Sequence, residues 1–224
     1  MKVYEAYQTA IREGMKRDLR GQKKVQEILD GFKEQYEGLD AKGKELFDTE
    51  RLWNPYADSR FSYGSDKAKD MDAERFMWGI DITPSEILLA DRLRSKGERI
   101  DAVVAHHPLG SSKTPFPEVM MQMTAMFENM GVPEEKAYEL VKNRMDQVLR
   151  NMQGFNYNQA ADCARMLDIP LFNVHAPADN MVEEFMVDKI EDADPKNLQE
   201  IIDSLLEEPE MRMAVRCNSP PMIL

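Results

Sequence analysis

"GIDITPSEILLADRLRSKGERIDAVVAHHPLG", residues 79–110, is the stretch on which the reading of this chain turns. "RFMWGID", residues 75–81, which runs into this stretch, predicts a short strand. "TPSE" then carries a helix start: Thr83 as N-cap, Pro84 at the first helical position and Glu86 closing a capping box. Ile87, Leu88, Ala90 and Leu93 supply apolar positions for the helix, and Gly97 stops it. "IDAVVAHH" follows, apolar almost throughout, as a strand buried on both faces should be. Strand, helix and strand within about thirty residues make a βαβ unit, which implies a parallel sheet in an α/β fold.

The apolar strand closes on His106 and His107. The chain of 224 residues has only three histidines, and the third, His175, closes another apolar run, "IPLFNVHAPADN". In open α/β sheets ligands bind at the carboxyl ends of the strands. Adjacent residues on a strand point to opposite faces, so two neighbouring histidines serve one site only where the backbone turns. Pro108 and Gly110 provide that turn. On this reasoning the two side chains diverge and suit two metal ions better than one. Pro177 is expected to keep the stretch after His175 out of regular helix, letting His175 and Asp179 converge from a compact loop. The blander alternative makes Asp179 or Asn180 the cap of a helix starting at Met181. Three of three histidines at strand ends, with Asp179 near, favour a metal site of His106, His107, His175 and Asp179.

The rest of the chain frames this unit. Residues 1–50 carry two helical stripes, Val3, Tyr7, Ala10, Ile11 and Met15, then Val25, Ile28, Leu29, Phe32, Tyr36 and Leu39. The basic run "MKRDLRGQKK" between them reads as a solvated helix end. "WNPYADSRFSYGSD" (53–66) reads as a loop whose aromatics pack it down. Residues 115–153 predict two helices, "NQAADCARMLD" a short amphipathic one, about 195–208 another, and "MRMAVRC" alternates like a strand. The division expected is a helical N-terminal extension over 1–70 and an α/β domain over 71–224, with a helical insertion at 115–153.

Composition narrows the function classes. Charged residues are 31% and hydrophobic ones 42%, the balance of a soluble globular protein. No apolar run approaches the roughly 20 residues of a membrane span, and the N-terminus lacks the apolar core of a secretory signal, so a cytoplasmic protein without membrane contact is expected. A net charge of −12 argues against nucleic acid as a partner and leaves divalent cations open. Cys163 and Cys217 are too few for a disulfide framework or a thiolate zinc site. The 17 methionines read as core filling.

The two histidine motifs, "D-x-T" at Asp81 followed by "HHP", and H-x-x-x-D in "NVHAPADN", resemble those of the Nif-three-like proteins, also known as GTP cyclohydrolase I type 2 homologues. The clear match covers about residues 76–113 and 157–182. The resemblance implies an α/β sheet with flanking helices, two divalent metal ions per site (Zn, Fe, Mn or Ni, not distinguished), and a homo-oligomer, often a ring. It makes His106, His107, His175 and Asp179 the ligands and places Asp81 near the site without making it one. It also implies a metal-dependent hydrolase acting on a nucleotide-like or other small substrate. The family completes its site with a histidine and an acidic residue near the C-terminus. No histidine follows His175 here, so the chain reads as an N-terminal fragment or a shortened member.

Two rivals stand beside this. A phosphoesterase with an Asp-His-His motif is disfavoured because Ala105 precedes His106. A non-catalytic metal-binding regulatory or adaptor protein would use the helical additions as partner surfaces. Glu86, Asp91 and Glu118 lie near the motifs, but none is singled out as a general base. Lys113 reads as a solvated lysine, with contact to an anionic substrate as the alternative.

Overall fold

The structure is a computed structural model that describes residues 1–152 and 154–221. It divides into two units, Met1–Ala178 and Asp179–Leu224. The first opens with three helices, α1 (Val3–Lys16), α2 (Gly21–Glu37) and α3 (Ala41–Leu46). A strand β1 (Phe61–Tyr63) and a single turn α4 (Ser65–Ala68) follow. Then comes the βαβ unit: β2 (Phe76–Gly79), α5 (Pro84–Ser95) and β3 (Ala102–Ala105). Helices α6 (Phe116–Val119), α7 (Gln122–Asn129), α8 (Glu134–Met152) and α9 (Gln159–Met166) precede β4 (Leu171–Asn173).

The four strands form one sheet in the order β1-β4-β3-β2. β2, β3 and β4 run parallel, and β1 pairs antiparallel with β4. β1 lies inside the stretch read from sequence as a loop. Three residues bounded by Arg60 and Gly64 are too short to display an alternating pattern.

The apolar character of β3 has a direct cause. Ala102 and Val104 face one core with Val3, Tyr7 and Ile11 of α1 and Phe172 of β4. Val103 and Ala105 face the other, with Ile87 and Ala90 of α5, Ala160 and Ala164 of α9 and Leu171 of β4. Alternating residues of a strand covered on both faces must all be apolar. α5 begins as its sequence requires: Thr83 is the N-cap, Pro84 starts the helix, and Thr83 N donates to Glu86 Oε2 at 2.7 Å. Gly97 follows its end with φ +89°, a conformation that glycine adopts without strain.

Two expectations fail here for physical reasons. Helix α10 (Ala176–Ala193) starts directly after His175 and includes Pro177. Proline is tolerated in a first turn, where its missing N–H would have had no intrahelical acceptor. Neither a compact loop over 176–179 nor a helix starting at Met181 is therefore found. The start of α10 is also tightly seated: a Cβ on Gly14 of α1 would lie 2.4 Å from Pro177 Cα, so only glycine permits this approach. Between the motifs, residues 115–152 hold three helices, not two, because Pro115 and Pro117 start α6 as a turn of its own.

The second unit contains most of α10, with α11 (Leu198–Leu205) and α12 (Pro209–Arg216). Within it, Lys189 Nζ of α10 lies 3.1 Å from Glu207 Oε2 and 2.8 Å from Glu208 Oε1. "MRMAVRC", read as a strand, is helical in α12. Pro209 sits at the helix start and decides the matter over a window too short to separate the two periods. The apolar tail "MIL", residues 222–224, whose composition suggests the beginning of a strand, lies outside the described residues.

Candidate functional site

The three parallel strands end on one edge of the sheet, and each carries a polar side chain just beyond its last residue. After β2 comes Asp81, after β3 His106 and His107, and after β4 His175. The ladder continues past the strands and fixes the backbone. His106 N donates to Gly79 O at 2.9 Å, His107 N to Ile80 O at 2.8 Å and Val174 N to Ala105 O at 3.0 Å.

The imidazoles meet. His106 stacks on His175 with ring centroids 4.7 Å apart and planes 28° off parallel. His107 lies 5.2 Å from His106 and 5.8 Å from His175. One ring nitrogen from each histidine falls within 4.8 Å of the others. The divergence argued from strand geometry is thus overturned. The strand ends at Ala105, and the turn into buried Pro108 carries both rings to one side.

Each ring is oriented through Nδ1. His106 Nδ1 lies 3.2 Å from the carbonyl oxygen of Val174, an atom that only accepts, so this nitrogen carries the proton. His107 Nδ1 lies 2.8 Å from Asp81 Oδ1, and His175 Nδ1 lies 2.7 Å from Asp58 Oδ2. With Nδ1 donating in all three, the lone pairs sit at Nε2. A histidine held by a carboxylate or carbonyl at its far nitrogen is the usual arrangement of a metal-ligating imidazole. The donor set therefore fits a divalent transition ion, which imidazole nitrogen prefers over the oxygen-seeking Ca²⁺ and Mg²⁺.

Asp58 was not found from sequence. Its carboxylate is fully buried and accepts from both His175 Nδ1 and, at 3.2 Å, Ala176 N, the first amide of α10. It thus caps the helix from a loop 117 residues upstream of His175. The loop is pinned in turn. Asn173 Nδ2 donates to Asp58 O at 2.5 Å, Ser59 Oγ accepts from His175 N at 2.9 Å, and Ser112 Oγ donates to Asn173 Oδ1 at 2.7 Å. Beneath it, Tyr7 Oη donates to Glu50 Oε2 at 2.6 Å, and Asn54 Nδ2 donates to Ser59 O at 2.8 Å. Burial raises the Glu50 carboxyl above its ordinary value despite the Tyr7 bond, and burial with the adjacent Glu50 raises the Tyr7 phenol. Nothing in "YADSRF" distinguishes Asp58 from a turn aspartate; only the fold brings it to His175.

Asp179 lies in the first turn of α10, exposed, at the beginning of the second unit. Phe116 packs its edge on the His175 ring with centroids 5.3 Å apart. Beside His107 opens a cavity of about 300 Å³, lined in part by Asp81, Lys113, Phe155 and Tyr157. No helix among the described residues is long and apolar enough to cross a membrane.

No family profile matches the chain, and no curated protein matches it. A solved structure does: a NIF3 superfamily protein from Sphaerobacter thermophilus, 34% identical, with a TM-score of 0.62 over 70% of this chain. The chain spans 56% of that protein's length. Identity at this level over 70% of the chain, joined to the common fold and to strand-end histidines already on the page, supports a NIF3-like family member.

Proposed function

We propose that this chain is a metal-dependent hydrolase-like protein acting on a nucleotide-like or other small substrate. His106, His107 and His175 would hold the metal through Nε2. The observation that carries this is the convergence of three imidazoles, each oriented at Nδ1 by Val174 O, Asp81 or Asp58. A site built only to pack would not need three rings turned the same way. Asp179 is proposed as a further ligand on the resemblance of H-x-x-x-D to the family motif. Whether one ion or two is held depends on such carboxylates, because Asp58 and Asp81 are already engaged by histidines.

A bound divalent cation would supply Lewis acidity and lower the pKa of a water. The protein's own part is orientation. Asp58 and Asp81 fix the tautomers and raise the basicity of the ligating nitrogens. Phe116, edge-on to His175, packs against that ring. The cavity beside His107 gives a substrate a place next to the metal, which favours catalysis over a purely structural or regulatory ion. A cytoplasmic homo-oligomer without nucleic-acid or membrane partners completes the reading, on charge, composition and family.

Metal analysis tests it. Protein purified with Zn²⁺, Mn²⁺ or Fe²⁺ should retain stoichiometric ion, and His107→Ala should lose most of it. Equal and negligible metal in both would sink the reading.

A further inference from the structure

The cavity beside His107 has a chemistry of its own. One wall is Asp81 and His107, at the ends of two parallel strands. Another is the stretch 154–158 ahead of α9, which presents Phe155 at 61% exposure and Tyr157 at 38%. Two large aromatic side chains left this open beside a histidine cluster are poorly explained by packing. Tyr157 O accepts from Gly110 N at 2.8 Å, tying Tyr157 to the chain just after the histidine pair. Gly110 has φ +57°, and a Cβ there would come 3.1 Å from Ser62 Oγ, so the junction is close.

Lys113, Asn156 and Gln159 also line it. Among the described residues the Lys113 ammonium has no ion-pair or hydrogen-bond partner, although acidic residues outnumber basic ones 41 to 29 in the chain. The one carboxylate on the lining, Asp81, already accepts from His107. The cavity thus offers an uncommitted cation, two aromatic rings and the side-chain amides of Asn156 and Gln159. At about 300 Å³ it stands at the small end of ligand pockets, which run from roughly 300 to 1,000 Å³. That suits one ring with a short substituent.

We propose that this cavity binds a small planar ring bearing one anionic substituent, the ring against Phe155 and Tyr157 and the anion toward Lys113. The ligand would then lie beside His107. The proposal rests on the metal-dependent reading for what is done to the ligand, but not for its capture.

Capture is tested by fluorine NMR with para-fluorobenzoate as probe, on the full chain treated with chelator, so that the carboxylate has no ion to bind. The neutral para-fluorobenzamide is the control. Para-fluorobenzoate should bind at millimolar concentration. Lys113→Met should weaken it about threefold to fivefold, the range of an exposed ion pair, and leave the benzamide unchanged. Phe155→Ala should weaken both probes about twofold to tenfold, as loss of one aromatic contact does. Both side chains are at the surface, and an unchanged Tm confirms that the variants fold. Absence of binding, or binding that neither substitution alters, overturns the proposal. Stoichiometric metal with no such binding overturns the subsite alone. Lys113- and Phe155-dependent binding in a protein that retains no metal supports the subsite and overturns the metal reading alone.

Discussion

The site has two flanks, and they are built differently. On the strand flank, His107 is paired with Asp81, whose side chain is 74% exposed. On the loop flank, His175 is paired with Asp58, whose side chain is fully buried and which also caps α10. The strand flank takes its geometry from the sheet: His106 and His107 are hydrogen-bonded to the chain leaving β2 whatever Asp81 does. The loop flank takes its geometry from polar contacts among Asp58, Ser59 and Asn173, set on a Tyr7–Glu50 pair whose Tyr7 is fully buried. One flank is held by a regular ladder, the other by a buried network that has to be complete.

The largest expected effect follows from removing Asp58. Asp58→Ala strips acceptors from His175 Nδ1 and Ala176 N, and buried donors left unmade should cost about 2–3 kcal/mol in urea unfolding. Metal affinity should fall by about 10–100-fold. A loss below that of Asp81→Asn would break the distinction between the flanks. Gly14→Ala comes next. Its Cβ would collide with Pro177, so overpacking of about 1–3 kcal/mol is expected, together with weakened metal retention through the displaced start of α10. Asp81→Asn should change stability by no more than about 0.5 kcal/mol, as exposed substitutions do, while lowering metal affinity about tenfold.

The smallest effect is a difference of sign with pH. The Glu50 carboxyl is raised, chiefly by burial. Its folded state holds the proton more tightly than the unfolded chain, so it contributes stability that is present below the unfolded pKa and lost as pH rises through the folded one. Asp101 lies at the opposite end of β3, where Glu74 N and Arg75 N donate to its Oδ2 at 2.7 and 2.8 Å. Burial works to raise it, but the Arg75 amide, the Arg99 guanidinium and the Glu74 amide outweigh that and hold it low. Its contribution is present above the unfolded pKa and is lost as pH falls through the folded one. Glu50→Gln should therefore gain on wild type as pH rises from 4 toward neutrality, on the order of the carboxylate range, and Asp101→Asn should gain on it as pH falls. Parallel curves for both variants would contradict the assignment.

The histidines of both flanks were legible in sequence, but the loop that orients His175 was not. "AVVAHHP" carries its own message: an apolar strand covered on both faces, then polar side chains at the edge where α/β sheets bind ligands. "TPSE" fixed the helix before it through residues at most three apart. Asp58, by contrast, matters only because β1 pairs antiparallel with β4 and brings residue 58 to residue 175. No local pattern encodes that pairing, and β1 is three residues long. Period-two reasoning also has a boundary, reached at His106 and His107. It holds within a strand and fails one residue past its end, which is how two rings expected to diverge come together. Pro177 shows the same limit: a residue that breaks a helix interior is harmless in a first turn.

The proposal at the centre is that His106, His107 and His175 together hold a divalent ion through Nε2. Crystals grown with Zn²⁺ or Mn²⁺ and measured across the metal's absorption edge test it most directly. The account predicts an anomalous peak within bonding distance, about 2.0–2.2 Å, of Nε2 on all three histidines. A peak elsewhere, or none at these rings in metal-saturated crystals, would contradict it.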